Sequence, residues 1–256
     1  MGKRFLLRCQ WGRGSRMSQV EGRNPVLEAV RGRLADRVLV DEDSKSARKI
    51  EEIVDLARRT GIHVEFVRRR ELDRISKTKH HQGVLAFIVR PAYTSIEEVL
   101  SGVEGDVCVV VLDRVQDPMN LGSVLRTSEA TGVNAVVIPR RGSVGLTPAV
   151  RRVAMGGDVY VPVVRERSFR VLRSLREEGV RVVGVDPSGG VDYYDERLTG
   201  SVVFVLGGEG GGLSQQMLDK CDVVVRIPMA GRLDSLNVGV AAAVVLYERV
   251  RQLSVS

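Results

Sequence analysis

The stretch Val107-Cys-Val-Val-Val-Leu-Asp-Arg-Val-Gln-Asp-Pro-Met-Asn-Leu-Gly-Ser-Val-Leu-Arg126 reads as a buried strand that turns into a helix. Its apolar run over Val107–Leu112 shows no polar alternation, the mark of a strand covered on both faces. After the polar turn, the spacing predicts a helix over residues 120–131. Asn120 is read as its cap, Gly122 as a point of close backbone approach, and Arg126 as a residue of its second turn. Outward from here the alternation repeats. Further strands fall near residues 134–138, 181–185, 202–206 and 223–227, and further helices near 147–155, 168–178, 214–219 and 236–252. Val-rich strands separated by helices predict an α/β unit with a parallel sheet over residues 97–256. In such sheets ligands sit beyond the C-terminal ends of the strands.

Residues 19–90 read as a smaller α/β unit. A helix starts at Pro25, with Asn24 as its cap, and runs to Val30. Another runs from a cap at Ser44 or Ser46 through Arg59, and Gly61 ends it. Strands are expected at residues 37–40, 64–67 and 84–89, with a short helix at 71–76. Pro91-Ala-Tyr-Thr-Ser95 marks a linker over 91–96, where the charge balance also changes. Residues 1–91 hold 21 Lys and Arg against 12 Asp and Glu, whereas the rest of the chain holds 18 against 20. A basic module joined to a near-neutral one suggests that the first touches a polyanion and the second does other work. Arg outnumbers Lys 33 to 6, which suits bidentate phosphate contact. Residues 1–18 read as a flexible basic extension, unless translation starts at Met17.

No apolar run approaches the roughly 20 residues of a membrane span. Cys9, Cys108 and Cys221 are scattered, and His63, His80 and His81 form no ligand pattern. No metal site or disulfide framework is indicated, and a reducing cytoplasm is expected.

Two further segments follow predicted strands. Leu206-Gly-Gly-Glu-Gly-Gly-Gly-Leu213 admits no G-x-G-x-x-G placement and no G-K-[ST], so neither a dinucleotide fingerprint nor a P-loop is present. A glycine loop of this kind lets a ligand lie against bare backbone. Ile227-Pro-Met-Ala-Gly-Arg-Leu-Asp-Ser-Leu-Asn237 leads into a long apolar helix, and its Ser-Leu-Asn reads as a helix cap. In this order the three segments resemble the signature motifs of the SpoU family of RNA 2′-O-ribose methyltransferases, of the SPOUT superfamily. Glu21-Gly-Arg-Asn-Pro25 and His81-Gln-Gly-Val84 resemble that family's accessory, ribosomal-protein-like RNA-binding domain. The likeness extends over about residues 20–252. Departures are Asp234, where a small neutral residue is common, Gly239, where Ser is common, and the run Val153–Gly157.

The resemblance implies a trefoil-knot methyltransferase domain using S-adenosylmethionine (SAM) and pairing as a homodimer, with RNA as substrate. It implies that Leu206, Gly207, Gly208, Ile227, Met229 and Leu236 hold SAM. Arg126, Asn120, Glu209, Ser235 and Asn237 would carry the chemistry, and Arg23, Asn24, His80 and Gln82 would touch RNA. Because Arg stays protonated, Arg126 is better suited to stabilising an alkoxide than to removing a proton. The two-unit layout most resembles the subgroup acting on guanosine ribose in the peptidyl-transferase region of 23S rRNA. A transfer-RNA target is the first alternative. A non-catalytic SAM- and RNA-binding assembly factor is a rival from another class, and the retained polar residues argue against it. The apolar residues of Val238–Tyr247 fall on more than one helix face, consistent with burial across a dimer interface.

Overall fold

The computed structural model describes residues 18–32, 34–78, 80–88, 93–208 and 211–255. Residues 1–17, read above as most of the basic extension, and Glu209 lie outside the described residues.

The first unit comprises β1 (Ser18–Glu21), α1 (Arg23–Arg31), β2 (Ala35–Asp41), α2 (Arg48–Thr60), β3 (His63–Val67), α3 (Arg69–Ile75) and β4 (Val84–Ile88). Its sheet runs β1-β4-β2-β3, with β1 and β2 antiparallel to β4 and β3 parallel to β2. Helices α1 and α2 cover one face through Val26, Leu27, Ile50 and Ile53, and Leu72 of α3 covers the other. The caps differ from the sequence reading. Gly22, not Asn24, precedes α1, and Ala47, not Ser44 or Ser46, precedes α2. The Ser44 hydroxyl instead donates to Asp41 (2.7 Å) in a short 3₁₀ turn. Gly61 does end α2, in the left-handed conformation (φ 77°).

The second unit comprises α4 (Ile96–Ser101), β5 (Cys108–Asp113), α5 (Pro118–Ala130), β6 (Ala135–Ile138), α6 (Pro148–Ala154), α7 (Gly157–Tyr160), β7 (Val163–Arg165), α8 (Ser168–Glu177), β8 (Arg181–Val185), β9 (Val191–Asp192), β10 (Val202–Gly207), α9 (Gln215–Leu218), β11 (Val223–Arg226) and α10 (Val238–Ser254). The seven strands order as β7-β6-β5-β10-β8-β11-β9, and every pairing is parallel. Successive side chains of a strand point to opposite faces. Val110, Leu112 and Phe204 accordingly pack under α5, α6 and α10, while Val109, Val111, Val203 and Val205 pack under α4, α8 and α9. Burial on both faces explains the unbroken Val runs. The strands that end in the three motifs, β5, β10 and β11, deliver them to one rim. Thr94, in the segment read as a linker, bridges to Val164.

Candidate active site

At that rim a cavity of about 790 Å³ opens between the glycine loop after β10, the segment after β11 and the start of α10. Leu206, Gly207, Gly208, Ile227, Met229 and Leu236 all line it, and so do Ser235, Asn237 and Asp234. The close loop geometry requires glycine. A methyl group on Gly207 would overlap the backbone of Gly212, and one on Gly208 would overlap the carbonyl of Arg114. Bare main chain and apolar side chains thus form the wall, with few polar groups to fix orientation, as small-molecule sites generally show.

One of those groups, Asp186 at the end of β8, is absent from the sequence reading. Its carboxylate accepts the Leu213 N–H (2.8 Å) and both the N–H (3.0 Å) and hydroxyl (2.7 Å) of Ser188. Burial alone would raise its pKa, but these hydrogen bonds outweigh it and hold the carboxyl below its usual value. Asp186 therefore fixes the glycine loop as an anion. The available signal was a carboxylate directly after a Val-rich strand.

Asn237 caps α10. Its side-chain oxygen accepts from Gly239 (2.9 Å) and Val240 (3.4 Å), and its amide donates to Asn120 (2.8 Å). The first and third motifs thus meet through an Asn–Asn bond. Asn120 is buried inside the first turn of α5. The cap of that helix is Asp117, which accepts from Met119 (2.8 Å), with Pro118 following. The sequence reading had placed that cap at Asn120.

Arg126 does not line the cavity. It is exposed six residues along α5 from Asn120, roughly 9 Å of helix. There it lines a groove of about 470 Å³ between the two units, together with Asn24, Glu28, Met155 and Tyr160. An adjoining groove of about 200 Å³ is lined by Asn24, His80, Gln82, Arg151, Arg152 and Met155. The four residues expected at RNA cluster here. Arg23 donates through its backbone N–H to the Gln82 side chain and through Nε to the Gln82 carbonyl (both 3.2 Å). His80 is exposed, whereas His81 is buried, accepting from Gly83 (3.1 Å) and facing Asp73 (3.0 Å). Arg151 is committed to Asp158 (2.7 Å), which among the described residues leaves Arg152 as the exposed arginine of this groove.

With this geometry in hand, comparison with known proteins is decisive. The model of the SpoU rRNA Methylase family matches residues 107–247, and that of the RNA 2′-O ribose methyltransferase substrate binding domain matches residues 19–94. The chain belongs to the SpoU family. A SpoU relative in Bordetella pertussis (strain Tohama I), a 23S rRNA (guanosine-2′-O-)-methyltransferase, RlmB, is 40% identical over 213 residues, covering 82% of this chain and 87% of its own. The crystal structure of the SpoU methyltransferase AviRb from Streptomyces viridochromogenes in complex with AdoMet superposes with a TM-score of 0.77 at 27% identity, covering 93% of this chain and 91% of that one. The A. aeolicus TrmH/SpoU tRNA modifying enzyme superposes at 0.52 and 26% identity, over 61% of this chain and 80% of its own. This SpoU chain is therefore an RNA 2′-O-ribose methyltransferase that uses SAM.

The cavity suits that cofactor, offering apolar wall for an adenine, main-chain groups for the ribose, and the Asp234 carboxylate at its edge for a cation. Burial pushes the thiols of Cys108 and Cys221 up to about 11, so neither is a thiolate nucleophile at neutral pH. Among the described residues no cluster of His, Cys, Asp or Glu could hold a metal ion, and no helix is long and apolar enough to cross a membrane.

Proposed function

We propose that this chain methylates the 2′-oxygen of a guanosine ribose in 23S rRNA. The observation that carries this reading is the meeting of the third motif with the first: Asn237, which lines the cavity, donates to Asn120. It is joined by a relative named for that reaction whose 213 matched residues exceed the length of the second unit, so the likeness reaches into the first. The tRNA-modifying relative aligns over a smaller share of the chain.

The roles follow from chemistry. When bound, SAM supplies an electrophilic methyl group on a sulfonium. Main chain at Leu206, Gly207, Gly208, Ile227 and Leu236, with the Met229 side chain, holds it. Ser235 and Asn237 orient the ribose hydroxyl, since both donate and accept without charge. Arg126 stabilises negative charge developing on the 2′-oxygen through its guanidinium and grips the adjacent phosphate. Glu209, which lies outside the described residues, keeps the role that the family resemblance implies for it. Arg23, Asn24, His80 and Gln82 hold RNA outside the reacting centre.

We also place the enzyme in the cytoplasm as a homodimer. Tyr247 (54% exposed) and Val240 (49%) of α10 and Met119 (58%) of the adjoining α5 leave apolar surface of the kind a second copy covers.

The test is a labelled-methyl transfer assay with SAM and unmodified 23S rRNA and tRNA in parallel, followed by nucleoside mass spectrometry. The expected product is 2′-O-methylguanosine in 23S rRNA. Label in tRNA alone would replace the substrate, and no label in either would sink the reading.

A further inference from the structure

The rim of the large sheet continues past the cofactor cavity. Beyond the ends of β5, β6 and β7 lies a second groove of about 460 Å³, lined by Arg140, Arg141, Arg167, Ser168, Phe169 and Asp113 among others. Three observations mark it as a place for an anion. Arg140, Arg141 and Arg167 are exposed, and among the described residues none of them pairs with a carboxylate. The groove's acid, Asp113, is already paired with Arg114 (3.2 Å), and the nearby buried Glu166 faces Arg170 (3.5 Å).

The groove is also closed by the start of α8, a ten-residue helix without a side-chain cap and with no acid in its first turn. Its leading N–H groups and positive dipole end therefore meet no counter-charge from the helix itself. Finally, the hydroxyl of Ser168, a residue only 5% exposed, has no hydrogen-bond partner among the described residues. A buried, unpaired hydroxyl is costly, and Ser168 lines the groove, so a rotation of its side chain would bring the hydroxyl to a ligand oxygen there.

The position identifies the anion. Asp113 is in register with Gly207 on the neighbouring strand, and Gly207 lines the cofactor cavity. The facing walls of groove and cavity are thus one strand spacing apart along the rim, roughly 5 Å. RNA whose target ribose lies at the cavity would carry neighbouring phosphates across the groove, and exposed Phe169 offers a face to an unstacked base. We propose that Arg140, Arg141, Arg167 and the start of α8 form a phosphate site for a phosphodiester of the substrate RNA flanking the methylated nucleotide. This rests on the RNA reading above and adds to it a contact surface within the methyltransferase unit.

The experiment measures binding of a 23S rRNA transcript to the full chain at several salt concentrations, with SAM affinity followed in parallel. Arg141→Gln and Arg167→Gln should each weaken RNA binding severalfold and lower the slope of log K against log salt by about 0.7–0.9. SAM affinity should not move. Arg173→Gln, an equal loss of charge on an exposed part of α8, should change neither. Ser168→Ala should weaken RNA binding without lowering the melting temperature, because the hydroxyl it removes is unpaired.

RNA affinity and slope unchanged in the Arg141→Gln/Arg167→Gln double variant would overturn the proposal, as would an equal loss in Arg173→Gln. If inorganic phosphate raises the melting temperature of the wild type but not of the double variant, while RNA affinity stays equal, the site takes a free anion and the RNA assignment fails. A wild type that binds no RNA would remove the RNA reading and this inference together.

Discussion

Asn237 performs two jobs with one amide: its oxygen closes the first turn of α10, and its nitrogen ties that turn to Asn120. Asn237→Ala loses both and should cost about 0.5–2 kcal/mol through the cap alone. Asn237→Asp keeps the cap acceptor, and Asn120 can turn its amide to donate, so the melting temperature should stay near wild type while methyl transfer falls. Equal activity in Asn237→Asp would show that the residue is only a cap. Asp186 allows a prediction in pH. Its folded pKa lies below the unfolded value, so its contribution is present above the ordinary carboxylate range and lost as pH falls through the depressed value. SAM affinity should be flat from neutral pH down through the ordinary carboxylate range and decline only below it. Asp186→Asn should weaken SAM binding at every pH, because one amide N–H then faces a donor, at about 1–3 kcal/mol. Calorimetric titration checks both. The residues lining the cavity were legible because glycines after a strand and polar groups before a helix announce themselves locally. Asp186 was not, since its bond to Leu213 spans 27 residues of sequence. The cap of α5 was misplaced for a simpler reason: Asp117-Pro118 carries both start signals, and Asn120 drew the reading three residues too far.

Among the elements, the long ones were readable and the short ones were not. The core strands β5, β8, β10 and β11 and the helices α2, α5, α8 and α10 follow their apolar periods closely. The edge strands β1, β7 and β9 have two to four residues, too few for a period to show, and form because a neighbouring strand offers a ladder. Helix α7 is one turn of four residues behind Gly156. It is also where the units join: Val159 enters the core of the first unit, and Tyr160 donates to the Glu28 carboxylate (2.7 Å). Burial, then that carboxylate, raises the phenol pKa and keeps the donor protonated. Gly122 controls the seat of α6 on α5. A Cβ there would meet Val153 at 2.5 Å and the Val150 carbonyl at 2.9 Å. Gly122→Ala should therefore destabilise by about 1–3 kcal/mol despite its better helix propensity. Thermal melting should show a fall of several degrees. An unchanged or higher melting temperature would mean that α6 yields freely.

At the scale of the whole molecule, the expected reacting groups are divided. Ser235 and Asn237 line the cofactor cavity, whereas Arg126 faces the groove between the units beside Asn24. Arg126→Ala should accordingly abolish methyl transfer and leave SAM affinity near wild type. Two arrangements can bring Arg126 to the reacting oxygen: RNA spanning groove and cavity of one chain, or a second chain presenting its Arg126. The exposed apolar residues of α10, with Met119 at the start of the adjoining α5, favour pairing and hence the second. Mixing subunits separates the two. Gly207→Ala pushes a methyl group into the Gly212 backbone and should close the cavity to SAM, while leaving Arg126 untouched. Arg126→Ala does the reverse. Each variant alone should be inactive. Co-refolded in equal amounts, random pairing makes half the dimers mixed, and each mixed dimer holds one intact cavity facing one intact Arg126. Transfer should then return to about a quarter of wild type if the arginine acts across the dimer. If the mixture stays inactive although mixed dimers are demonstrated by mass, Arg126 serves the cavity of its own chain, and RNA must bridge the distance that the fold leaves between them.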